Sequence, residues 1–389
     1  MEVGERITGA QVVTIERSGD VRALTPTGID AAEVAALPVH TEAFGATTVA
    51  GVLAHSQARS LVVLHGGRLA LEWYGADGAP GRRNRCYSVT KSFTGTLAAV
   101  AVHDGLLDRA AVVGDLLPEL SASGFGDATV GDVADMTVTM GYDEDYADAG
   151  EAPTDAPTFG FGDYMLALGL ELPDAVVPAD APRSIRRFLA AVPRGAGRHG
   201  EVFAYATPCT DVLDWLVERA TGERYPQRLA RSIWSRIGAE HDGRLSLDPA
   251  GTPTAGAGLA VTTRDLARFG LMLSEQGHVD ARSDAAATAG TIPAAVIDDI
   301  RAGGDPEVFL AGGQYDHLAG YSYRNQWWMP GGANRPMSAW GIHGQVLWVD
   351  PDARIVIATH CGGPDASDVR RDLEQDAMCR ALTEASLDW

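Results

Sequence analysis

Ser88 and Lys91, three residues apart, form the pair in this 389-residue chain whose possible chemistry is easiest to name. Lys91 is the single lysine; the other thirty basic side chains are arginine. A guanidinium keeps its proton in a protein, whereas a buried ammonium can release it. A neutral lysine amine beside a serine can take the hydroxyl proton and leave the oxygen ready to attack a carbonyl. Arginine cannot replace lysine in that task. A helix is expected to begin at Ser88, with Val89, Phe93, Leu97 and Val100 recurring on one face. Residues three apart on a helix are neighbours, so Ser88 and Lys91 share a side. The helix start would also aim free N–H groups and a positive dipole end at the hydroxyl, and favour the neutral form of Lys91. The same spacing equally describes a serine that caps a helix and a lysine standing in solvent.

Three further stretches carry chemistry-bearing side chains. Tyr205, in Phe203-Ala204-Tyr205-Ala206-Thr207, closes a short apolar run just before a helix. It reads either as a packing residue or as a phenol, its pKa lowered by a nearby ammonium, that shuttles a proton between Ser88 and a leaving group. The run from Ser338 to Gln345 is a glycine-flanked strand able to lay a backbone N–H beside a nucleophile, with His343 as a packed or surface histidine. The acidic loop Tyr142-Asp143-Glu144-Asp145-Tyr146-Ala147-Asp148 reads as a solvated loop, or as a rim that draws an amine-bearing substrate and offers it a tyrosine hydroxyl. Bound calcium fits poorly, because the central glycine and terminal bidentate glutamate of a calcium loop are missing. Cys86 and Cys209, two before Ser88 and four after Tyr205, both stand close to these positions in sequence.

These residues need a scaffold, and the chain supplies β-rich ends around a helical middle. Residues 61–65 and 69–74 flank Gly66-Gly67 as one hairpin, and residues 345–349 and 355–359 flank Asp350-Pro351-Asp352-Ala353 as another. Residues 321–328 and 337–343 read as strands, and residues 366–387 as a closing helix. Helices are expected over residues 210–221 and 226–237, each stopped by glycine, and from a capping box at Thr262 to near Gly277. The expected fold is α/β, an antiparallel sheet with flanking helices. Residues 1–85 and 250–389 would form the α/β domain from both ends of the chain, and residues 86–249 an inserted, mostly helical domain carrying Ser88, Lys91, Tyr146 and Tyr205. Residues 153–182, acidic and proline-bearing, would be a lid or an excursion.

Composition narrows the partners. A formal charge of −21 repels nucleic acid and anionic lipid and tolerates neutral or cationic small molecules. No apolar run approaches the length of a membrane span, and the N-terminal residues lack a signal-peptide pattern, so a cytoplasmic protein is expected. The four cysteines lack metal-ligand spacing and are read as reduced thiols. No metal or cofactor is expected.

Together, serine-x-x-lysine, a tyrosine and a glycine-bearing strand resemble the serine β-lactamase and penicillin-recognising superfamily, class C-like. Within it the chain is most similar to the nylon-oligomer amidases (6-aminohexanoate-dimer hydrolases) and related esterases. Carrying the likeness are residues 88–95 (SVTKSFTG), 135–148 (DMTVTMGYDEDYAD), 210–225 (TDVLDWLVERATGERY), 264–270 (RDLARFG), 326–328 (QWW) and 341–350 (GIHGQVLWVD). The resemblance implies Ser88 as nucleophile, Lys91 and Tyr205 as the proton-handling pair, and an oxyanion hole from the N–H groups of Ser88 and Ile342. It implies substrate contacts from Tyr146, which would bond the scissile amide, and from Asp155, which would bind a substrate amine; His343 is a further candidate. The chain departs from the pattern where Cys209 replaces an asparagine, where Gly256 replaces a polar residue, and in a longer region after Asp155. With one lysine, none is left to hold a penicillin carboxylate. The expectation is an intracellular serine hydrolase acting on a small amide or ester. An acyltransferase using the same acyl-serine, and a catalytically silent binding or sensor domain on the same scaffold, are the alternatives. Oligomeric state is left open by the sequence.

Overall fold

The computed structural model describes residues 11–146, 159–170, 183–276 and 292–389. Among these, seven strands form one antiparallel sheet: β1 (Ala58–His65), β2 (Arg68–Tyr74), β3 (Ser322–Arg324), β4 (Trp327–Met329), β5 (Met337–Gly341), β6 (Gln345–Asp350) and β7 (Ile355–Cys361). Their spatial order is β3-β4-β5-β6-β7-β1-β2. The helices that matter for the site are α1 (Val89–His103), α2 (Phe161–Ala167), α3 (Thr207–Thr221), α4 (Thr263–Gln276) and α5 (Val369–Ala385).

The central strands are apolar on both faces because both faces are covered. In β1, Val62 and Leu64 join a core with Phe93 of α1 and Phe269 of α4, while Leu61 and Val63 join another with Met378 and Leu382 of α5. The period-2 alternation of a strand therefore sorts one continuous hydrophobic run onto two layers. α1 is buried almost all round: Val89, Phe93 and Leu97 face the sheet side, and Ala98 and Ala101 face a second core built with α3. A helix held from two sides cannot shift its N-terminus without disturbing both, so it fixes Ser88 and Lys91.

The structure revises several element boundaries. The single strand expected over residues 321–328 is two short strands joined at Asn325 and Gln326, whose φ values are +48° and +65°. A tight hairpin whose twist matches its strands needs positive φ at both turn residues, and glutamine seldom advertises that. α3 begins at Thr207 rather than 210, with Pro208 in its first turn. The helix expected over residues 226–237 is α-helical only over Tyr225–Leu229 and then widens into a π turn at Ala230–Trp234. The expected end of α4 near Gly277, and most of the proline-bearing stretch 153–182, lie outside the described residues.

Candidate active site

Ser88 stands at the N-cap of α1, but its side chain makes no capping bond and its backbone is already helical, with φ −66° and ψ −12°. Instead the hydroxyl accepts from Lys91 Nζ at 2.7 Å. Lys91 is 1% exposed, so the solvated-lysine alternative does not hold. Its second partner is the carbonyl of Gly256, at 3.1 Å. Burial lowers its pKa to about 8, against the opposing charges of Glu144 and Asp211. An amine that titrates near neutrality can act as a base.

The Tyr205 ring lies 5.0 Å from Lys91 Nζ, and its hydroxyl stands near Ser88. The structure decides against one of the two readings of Tyr205. Burial, reinforced by Glu144, pushes the phenol well above its ordinary value, and the nearby Ser88 hydroxyl only partly opposes this. Tyr205 is therefore a neutral O–H that can relay a proton, not a standing phenolate. Behind it Trp328 stacks at 5.4 Å between ring centroids.

The acidic loop is not simply solvated. Glu144 is 4% exposed, and its Oε1 accepts from Tyr146 Oη at 2.9 Å and Thr207 Oγ1 at 2.6 Å. Its Oε2 accepts from Tyr142 Oη at 3.3 Å and from the Thr207 backbone N–H. Thr207 opens α3, so the carboxylate satisfies one of the orphan N–H groups at the positive end of that helix. Sequence reasoning passed over Glu144 as an individual residue. The available signal was period 2, because Tyr142, Glu144 and Tyr146 alternate in an extended segment and fall on one face. Asp211 was missed too, although an aspartate on the apolar stripe of α3 is itself a signal.

The turn after β5 approaches the nucleophile from the other side. A Cβ at Gly341 would come within 2.6 Å of the Cys86 carbonyl oxygen, so only glycine lets the strand run this close. Ile342 follows, its carbonyl accepting from Gln345 Nε2 at 3.1 Å. The His343 ring packs against Tyr87, 5.2 Å between centroids, and its Nδ1 bonds the Gly363 carbonyl at 2.8 Å. Burial lowers its pKa, which keeps the ring neutral. Tyr146 packs edge-on to Phe161. Asp155 lies outside the described residues. A cleft of about 260 Å³ opens beside this cluster, lined by Met140, Tyr142, Glu144, Val202 and Tyr205 among others. That is room for a small ligand.

Among the described residues no three histidine, cysteine, aspartate or glutamate side chains are placed to hold a metal ion, and no helix is long and apolar enough to cross a membrane. All four cysteines are buried thiols.

The β-lactamase family model matches residues 46–377. The 6-aminohexanoate-dimer hydrolase of Paenarthrobacter ureafaciens is 34% identical over 312 residues, which cover 79% of this chain and 73% of the relative. A solved Bacillus anthracis structure assigned as a 6-aminohexanoate-dimer hydrolase superposes with a TM-score of 0.80 at 24% identity, over 97% of this chain and 91% of the other. EstCE1, described as a hydrolase with promiscuous acyltransferase activity, superposes with a TM-score of 0.59 at 15% identity, over 84% of this chain and 95% of the other. At these identities the two superpositions bear on the fold alone.

Proposed function

The chain belongs to the β-lactamase family and is an amidase-like hydrolase, and from that premise we propose that it cleaves a small amide or ester through an acyl intermediate on Ser88. Neutral Lys91 takes the Ser88 proton as the oxygen attacks the substrate carbonyl. The N–H groups of Ser88 and Ile342 donate to the oxygen as it becomes negative. When the tetrahedral adduct collapses, the amide C–N or ester C–O bond breaks, the Ser88–acyl bond remains, and Tyr205 delivers the proton to the leaving nitrogen or oxygen. Water then attacks the acyl carbon with Lys91 and Tyr205 in the reverse roles, releasing the acid and free Ser88.

Tyr146 and His343 are the described candidates for substrate contact, and Asp155 is carried by the family likeness alone. The observation that carries the reading is the 2.7 Å contact between Lys91 Nζ and a Ser88 hydroxyl that caps nothing. A fluorophosphonate probe should label the protein at Ser88, located by peptide mass spectrometry, and Ser88→Ala should remove the label. Label persisting at another residue in that variant would overturn the assignment.

A further inference from the structure

The proton chemistry above uses Lys91 and Tyr205, with the loop carboxylate Glu144 beside them, and leaves a second buried carboxylate without a task. Asp211 is 4% exposed on α3. Its Oδ2 accepts from Tyr164 Oη of α2 at 2.6 Å, whereas its Oδ1 is buried with no hydrogen-bond partner. A half-satisfied buried carboxylate is costly, and proteins seldom retain one without use. The carbonyl of Gly256, beside this stretch of α3, accepts from Lys91 Nζ at 3.1 Å. Gly256 is itself pressed against α3: a Cβ there would stand 2.5 Å from Thr207 Cγ2. Two carboxylates thus stand at one junction: Glu144 bonds Thr207, and Asp211 lies one turn further along α3.

We propose that Asp211 is a positioning residue for the Ser88 reaction: anchored by Tyr164 on the stretch of α3 that packs against Gly256, it adds its charge to that of Glu144 around the Lys91 amine. The role rests on the acyl-Ser88 reading and extends it. The groups that act on Asp211 are Lys91 from α1, Tyr164 from α2, Tyr142 from the acidic loop, and Cys209 and Asp214 from α3 itself. Asp214 is paired with Arg228, so its charge is largely committed elsewhere. Burial raises the Asp211 pKa to about 7, against the opposing Tyr164 bond, so the charge it presents to Lys91 changes near neutral pH.

An anion near an ammonium favours the protonated form, so removing it makes the neutral amine available at lower pH. The test is the pH profile of fluorophosphonate labelling at Ser88. Asp211→Asn keeps the shape and removes the charge, and its acid limb should move down by about one pH unit. Tyr164→Phe keeps the carboxylate but favours its protonated form, and should move the limb the same way by less. If Asp211→Asn fails to fold, Tyr164→Phe decides alone. An acid limb that stays in place or moves up in a folded variant would overturn the role of Asp211, since a merely structural residue lowers the melting temperature without moving a titration. Absence of label at Ser88 in the unsubstituted protein would instead sink the acyl-serine reading, and this role with it.

Discussion

Two strings of polar side chains meet the start of α1, and both pair a nucleophile with a base. One is Ser88 with Lys91, continued by Tyr205 and the carboxylates Glu144 and Asp211. The other begins two residues earlier: Cys86 Sγ lies 3.8 Å from His360 Nε2, His360 Nδ1 lies 2.9 Å from Thr263 Oγ1, and Thr263 bonds Ser60 at 2.6 Å. On residue types alone the cysteine–histidine string looks at least as reactive. Their surroundings separate them. Burial pushes the Cys86 thiol up to about 12 and His360 down to about 3, so neither ion of a reactive pair forms. Lys91 is buried just as deeply, but its neighbours supply negative charge and leave it near 8. Burial silences a nucleophile–base pair unless opposite charge is buried with it. The carboxylates are therefore as much a part of the candidate site as the serine.

The largest effect should come from removing the base while keeping its charge. Lys91→Arg should lower kcat/KM by about 10³-fold or more, since a guanidinium cannot accept the Ser88 proton. Near-normal turnover would place the serine–lysine string in the same inert class as the cysteine–histidine one, and the contrast would collapse. Next is Glu144→Gln, expected to cost about 10- to 100-fold in kcat/KM, because one amide oxygen cannot accept all the bonds now made by Thr207, Tyr142 and Tyr146. It also sharpens the comparison through pH. In the unsubstituted enzyme kcat/KM should rise toward a limb near pH 8, where Lys91 loses its proton. Without the Glu144 charge the limb should move to lower pH. If instead it stayed fixed, desolvation alone would govern the lysine.

The same contrast explains how much was legible in the sequence. Ser88, Lys91 and Tyr205 stood out because residue type and spacing are local facts, and the apolar runs of β1, β6 and β7 with their turn residues announced the two hairpins of the sheet. Burial is not local. Glu144 sits in a run of acidic residues that looks solvated, and what buries it is Thr207, 63 positions away. On one of its two readings the Tyr205 phenol would be lowered by a nearby ammonium; its neighbour is visible in the sequence, but its full burial, which decides the direction, is not. The hairpin at Asn325 and Gln326 escaped for the converse reason, since tertiary packing holds a glutamine at a φ that its type does not suggest.

The smallest effect is expected where proximity in sequence is most misleading. Cys86 precedes the nucleophile by two residues, yet its contribution to the site is made by its backbone. Its N–H donates to the Leu259 carbonyl at 2.8 Å, its own carbonyl accepts from Val89 N at 3.1 Å, and that carbonyl is the atom Gly341 passes so closely. None of these contacts involves the side chain. The thiol points into the core toward His360 and is 0% exposed. Cys86→Ala should therefore leave kcat/KM within about twofold while lowering stability by about 1–2 kcal/mol through lost packing. Turnover of the unsubstituted enzyme should likewise resist peroxide at Cys86, because oxidation needs an accessible thiolate. Steady-state kinetics, chemical denaturation and peptide mapping after peroxide would read all three. A large loss of turnover in Cys86→Ala, with stability little changed, would mean that the second string is coupled to the first.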